Sequence, residues 1–153
     1  MKNIDLELLK KLRNATGVSL SDCRIALEKT NNDFEKALEW LRRHGIEKAD
    51  KKAQRQTSAG LIEFYIHQNG RVGSIIELTC ETDFVARTDE FKNLAHELAM
   101  QVSAMNPKDV PTLLKQEYIR DNTKTIEQLI KETIAKLGEN IVIKRFERYS
   151  LGE

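Results

Sequence analysis

The chain has 153 residues, 40% of them hydrophobic and 32% charged, enough for one ordinary domain or for one small and one medium domain. With 25 basic and 24 acidic residues its formal net charge is +1, so bulk electrostatics do not call for nucleic acid and any basic patch has to be local. The N-terminus has no apolar signal core, and no stretch approaches the roughly 18 apolar residues of a membrane span, so the expected compartment is the cytoplasm, with no membrane partner.

Residues 1–45 read as three short helices. Ile4, Leu8, Leu9 and Leu12 recur at helical spacing, and Gly17 follows as a stop. Ser19 and Asp22 form a capping signal ahead of the stripe Leu20, Cys23, Ala26 and Leu27. Asn32 and Glu35 repeat the signal before Phe34, Ala37, Leu38 and Leu41, and Gly45 is expected to close the third helix. Three helices of this length bury only a small core and leave no room for a cleft, which suits a docking module. Residues 46–57, polar and rich in Ala and Lys, read as a solvated helical linker.

From Ser58 the period changes to that of strands. Leu61–His67 and Val72–Cys80 are rich in β-branched and aromatic residues and flank Gln68-Asn69-Gly70, a hairpin signal. A two-residue Asn-Gly loop places Ile62 opposite Glu77. A three-residue loop pairs Ile66 with Val72 and Ile62 with Ile76, gathers the apolar residues on one face, and is the expected register. A long amphipathic helix from Phe91 to Met105, a short one after Pro111, another capped by Thr125 and closed by Gly138, and a strand over Ile141–Leu151 complete residues 58–153. The expected class is α+β, with helices packed on three antiparallel strands.

No constellation for bond chemistry emerges. His44, His67 and His96 are scattered, Cys23 and Cys80 have no metal-ligand spacing and read as buried small hydrophobes, and no phosphate-binding glycine loop occurs, so no cofactor is expected. Glu77, Glu81, Asp83, Asp89 and Glu90 gather near the end of the second strand, where negative charge at helix starts explains Asp89 and Glu90 better than a magnesium site does. The basic segment Lys48–Arg55 lacks interleaved aromatics, and no direct nucleic-acid contact is expected from it.

One segment stands out. Between the second strand and the long helix, Glu81-Thr82-Asp83-Phe84-Val85-Ala86-Arg87 forms a connection that puts Phe84 and Val85 at its tip. Phe84 either folds into the core or stands out as a wedge, whose burial in a partner contributes about 2–3 kcal/mol. C-E-T-D-F-V-A-R at Cys80–Arg87 resembles the signature of translation elongation factor Ts. T-G-V-S-L-S-D-C-R-I-A-L at Thr16–Leu27 and N-N-D-F-E-K-A-L-E-W-L-R at Asn31–Arg42 are similar to that family's ubiquitin-associated-like N-terminal domain, and G-E-N-I-V-I-K-R-F at Gly138–Phe146 to its C-terminal strand.

The resemblance implies an exchange factor without catalytic groups of its own, which binds the GDP form of elongation factor Tu and promotes GDP release. It implies that Thr82, Asp83, Phe84 and Val85 disturb the partner's magnesium site, with the Phe84 ring inserted between partner side chains. By matching position it makes Arg13, Leu20, Ser21 and Arg24 candidates for the docking contact. Short members with a single core unit pair through their sheets into a homodimer, for which an edge near Ile141–Tyr149 would serve. The chain departs from the family in the brevity of Val110–Lys124, which links the long helix to the last one.

Overall fold

The computed structural model describes residues 3–153. The chain begins with α1 (Leu6–Thr16), α2 (Leu20–Lys29) and α3 (Phe34–Lys52), followed by the hairpin β1 (Ala59–Ile66) and β2 (Val72–Cys80). A single turn, α4 (Asp83–Ala86), leads into α5 (Asp89–Met105) and α6 (Val110–Lys115). A small hairpin, β3 (Glu117–Tyr118) and β4 (Asp121–Thr125), then precedes α7 (Ile126–Leu137) and β5 (Ile141–Ser150). The fold is α+β: β1, β2 and β5 form an antiparallel sheet in that order, with helices on one face.

The helix ends follow from side-chain chemistry. Ser19 caps α2 by accepting from the Asp22 N–H, and Thr125 and Gln128 form a reciprocal capping box on α7. The cap of α3 is Asp33, not the expected Asn32. Asn32 instead holds the start of the chain, its amide donating to the Asn3 carbonyl at 2.9 Å while its oxygen accepts from the Asp5 N–H. Leu12, Cys23, Ala26, Leu27, Ala37 and Leu41 make a small separate core among α1–α3, from which Leu20 is left out at 51% exposure.

The expected stop at Gly45 is absent. Helix α3 runs through it to Lys52, so most of the expected linker is the last two turns of a 19-residue helix. Gly45 is buried where α3 crosses α7, and a Cβ there would stand 3.2 Å from the Cβ of Ala135. A small residue at that point lets the backbones approach. Ala49 then packs into the core of the sheet unit, and Lys131 pairs with Asp50 at 3.0 Å. The segment is amphipathic over a short span, which is why its composition alone reads as solvated.

The hairpin takes the register that sequence disfavoured. Ile62 lies opposite Glu77 and Ile66 opposite Gly73, and the last ladder bond runs from the His67 N–H to the Val72 carbonyl at 2.9 Å. The expectation assumed that the apolar residues of β1 share one face. They do not: Leu61 and Tyr65 pack against the core, while Ile62, Phe64 and Ile66 point outward. On β2, Ile76, Leu78 and Cys80 face inward, against Phe91, Leu94, Leu98 and Val102 of α5. A bulge in β5 beside Glu77 and Leu78 shifts the alternation. Ile141 and Ile143 face the core before it, and Phe146 and Arg148 sit opposite the inward Ile76 and Ser74 after it.

Candidate functional site

Phe84 and Val85 are neighbours with opposite fates. Phe84 is 80% exposed, whereas Val85 is buried at 5%, so only one of the two residues expected at the tip is there. The reason is that residues 83–86 are helical, not a loose connection. One turn of helix directs Phe84 away from the domain and turns Val85 and Ala86 onto the core.

Thr82 caps this turn, its hydroxyl oxygen accepting from the Val85 N–H at 3.3 Å. The same hydroxyl donates to Oε2 of Glu139 at 2.7 Å, and the Thr82 backbone N–H donates to Oε1 of Glu139 at 2.9 Å. Asp83 lies exposed in the first turn, where the helix dipole favours negative charge. Of the four residues expected to act together, Asp83 and Phe84 thus face outward unengaged by the core, Thr82 is occupied by Glu139, and Val85 is an anchor.

The neighbouring acidic residues also have partners. Glu77 pairs with Arg145 at 2.9 Å, and Glu81 accepts from the Asn140 N–H at 2.7 Å and pairs with Arg55 at 3.7 Å. Asp89 and Glu90 occupy the first turn of α5, as the dipole argument expects. Glu139 and Asn140 were not singled out in sequence. The available signal was an acceptor and an amide placed directly after the left-handed stop at Gly138 (φ 79°), where a helix ends and a strand begins.

The docking candidates lie on α1 and α2. Leu20, Ser21 and Arg24 are exposed at the start of α2, spaced to share one helical face, and Arg13 is exposed in the last turn of α1. Arg13 follows the buried Leu12 on α1 and Arg24 follows the buried Cys23 on α2, and those two buried residues share the small core of the three helices. Cys23 and Cys80 are free and buried, and burial pushes both thiols above their ordinary value. Burial also works against the charge on Asp22. Hydrogen bonds from Lys48, at 2.7 Å, and Ser19 outweigh it and hold the carboxyl below the usual range.

That pairing, with Arg55 on Glu81, occupies two of the basic side chains of the Lys48–Arg55 segment. Among the described residues no helix is long and apolar enough to cross a membrane, and no group of three or more His, Cys, Asp or Glu is placed to hold a metal ion. A groove of about 630 Å³ lies where α1 and α3 meet β4 and α7, lined by charges of both signs, including Glu35, Lys36, Arg42 and Glu132.

Two family profiles match the chain: one described as "Elongation factor Ts, mitochondrial, N-terminal" over residues 1–52, and one described as "Elongation factor TS" over residues 81–153. The chain is 44% identical over 193 residues to the Elongation factor Ts of Thermotoga sp. (strain RQ2), covering 98% of this chain and 97% of the relative. It is 43% identical to that of Thermoanaerobacter sp. (strain X514), covering 98% and 96%, and 40% identical to that of Rippkaea orientalis, covering 100% and 80%. The first alignment spans nearly all of both proteins yet exceeds the 153 residues of this chain, so that relative carries internal residues that this one lacks.

Proposed function

The chain belongs to the elongation factor Ts family, whose members serve protein synthesis as nucleotide-exchange factors for elongation factor Tu. From that premise we propose that it binds the GDP form of that partner, disturbs the partner's magnesium ion and speeds GDP release so that GTP binds. The observation that supports the reading is Phe84, a large apolar ring 80% exposed on a turn whose next two residues are buried. An exposed ring on a flexible loop would collapse or fluctuate, whereas this one is presented. Asp83 stands beside it, where a carboxylate competes for a cation or repels the ligands that hold one.

The work is divided between two parts. The N-terminal helices dock through Arg13, Leu20, Ser21 and Arg24, and residues 58–153 carry the wedge and the sheet. Binding energy from docking offsets the strain imposed on the partner's nucleotide site. Reciprocity then ejects the factor: if it lowers nucleotide affinity by some ratio, nucleotide lowers its affinity by the same ratio. The chain acts repeatedly without contributing a group to bond chemistry. Release of fluorescent GDP from elongation factor Tu tests this directly. The native chain accelerates release and Phe84→Ala loses at least tenfold of the acceleration while still binding; no acceleration by a folded native chain would overturn the reading.

A second copy of the chain covers the outward face of the sheet. Ile62, Phe64, Ile66, Ile75 and Tyr149 stand side by side across β1, β2 and β5, each between 44% and 71% exposed. This is the face, not the edge of β5, and an apolar patch of this breadth on a soluble domain calls for a partner surface. Light scattering of the free protein returns the mass of a dimer; a monomer at every concentration would overturn this part.

A further inference from the structure

We propose that Glu139 is the positioning residue for Phe84, a proposal that rests on the exchange reading above. The ring makes no packing contact that fixes its aim, because it is 80% exposed, so its direction is that of α4. A helix of four residues cannot hold itself together in water, since nucleation fixes several residues for one hydrogen bond. Burial of Val85 and Ala86 supplies one constraint at its far end. Glu139 supplies the constraint at its start.

The geometry is bidentate. One carboxylate oxygen accepts from the Thr82 N–H at 2.9 Å and the other from the Thr82 hydroxyl at 2.7 Å. A hydroxyl has a single proton, and giving it to Glu139 fixes the rotor and leaves the oxygen free to accept from the Val85 N–H at 3.3 Å. The carboxylate therefore sets the cap of the turn, although it lies 57 residues further along the chain.

Glu139 is itself held. Gly138 before it is the left-handed end of α7, and Asn140 after it is 3% exposed. The Asn140 N–H donates to Glu81 at 2.7 Å, so the two chain segments exchange carboxylates: Glu81 receives Asn140 while Glu139 receives Thr82. The Asn140 amide donates to the Arg55 carbonyl at 2.8 Å, just beyond the end of α3. A charged acceptor on a fixed backbone is suited to hold another element, because little further freedom is lost when it engages.

The test compares native chain, Glu139→Ala, Glu139→Gln, Phe84→Ala and the double variant Glu139→Ala/Phe84→Ala, all full length. GDP release from elongation factor Tu is followed across factor concentrations, and amide hydrogen exchange at Val85 is measured in the free proteins. Glu139→Ala is expected to lower the maximal rate about fivefold at unchanged half-saturating concentration, and to speed exchange at Val85 by about tenfold. Its melting temperature stays that of the native chain. Glu139→Gln, which keeps an oxygen for Thr82, recovers to within about twofold. In the double variant the loss of Glu139 adds nothing to that of Phe84.

Native exchange at Val85 together with native release in Glu139→Ala would overturn the proposal. So would a rate loss that tracks a lowered melting temperature, or one that adds fully to that of Phe84→Ala. Should the native chain itself fail to accelerate release, the exchange reading fails alone, and exchange at Val85 still decides whether Glu139 orders the turn.

Discussion

Phe84 and the outward face of the sheet both present apolar surface to solvent, and they are built differently. Phe84 is a single ring on one helical turn, with a polar or buried neighbour on each side. The outward sheet face spreads Ile62, Phe64, Ile66, Ile75 and Tyr149 over three strands of one hydrogen-bonded sheet. A broad flat face gains from covering by a similar surface, because burial is roughly proportional to area. An isolated ring gains little from area and acts by where it is placed. The first has the form of an interface and the second that of a probe.

The sharpest way to break that contrast is to charge the sheet face. Phe64→Glu is expected to weaken self-association by roughly a thousandfold, since an unpaired buried charge costs about 3–5 kcal/mol, with sedimentation as the readout. An unchanged sedimentation profile would remove the distinction between face and wedge. On the opposite side of the sheet, Leu78→Ala is expected to cost about 2–5 kcal/mol in chemical denaturation, because that side chain is fully buried.

On α4 the two neighbours should separate cleanly. Val85→Ala is expected to lose about 1–2 kcal/mol of stability, while Phe84→Ala stays within about 0.5 kcal/mol of the native chain, as exposed positions do. Equal losses would mean that the ring packs after all. A pH-dependent effect belongs to the docking helices. The Asp22 carboxyl is held below its ordinary value, so its contribution is complete above the usual carboxylate range and fades as pH falls through its lowered folded value. Lys48→Ala should flatten that acid dependence, by about 1 kcal/mol at most.

Much of the fold was legible because its signals are local. Ser19 with Asp22, Thr125, and the glycines at 17 and 138 announce helix ends through bonds that span three or four residues. What failed depended on distant partners. Gly45 reads as a stop until Ala135 is brought against it, and the amphipathic character of residues 46–52 has meaning only once α7 is present. The hairpin register failed for another reason, since the rule that apolar residues share one face breaks where both faces are covered or await covering. The hairpin β3–β4 was missed because Glu117–Thr125 is largely polar and carries no strand alternation.

At the candidate site the sequence pointed to the segment but not to its internal division. Thr82, Asp83, Phe84 and Val85 are contiguous, and one helical turn was enough to send Phe84 outward and Val85 inward. Glu139 was illegible because its role is a contact across 57 residues.

The concentration dependence of GDP release from elongation factor Tu, measured for Phe84→Ala and Arg24→Ala side by side, tests the division between wedge and docking surface most directly. Arg24→Ala should raise the half-saturating concentration with the maximal rate preserved, and Phe84→Ala should lower the maximal rate with the half-saturating concentration preserved. If both variants move the same parameter, docking and distortion are not separate properties of the two parts.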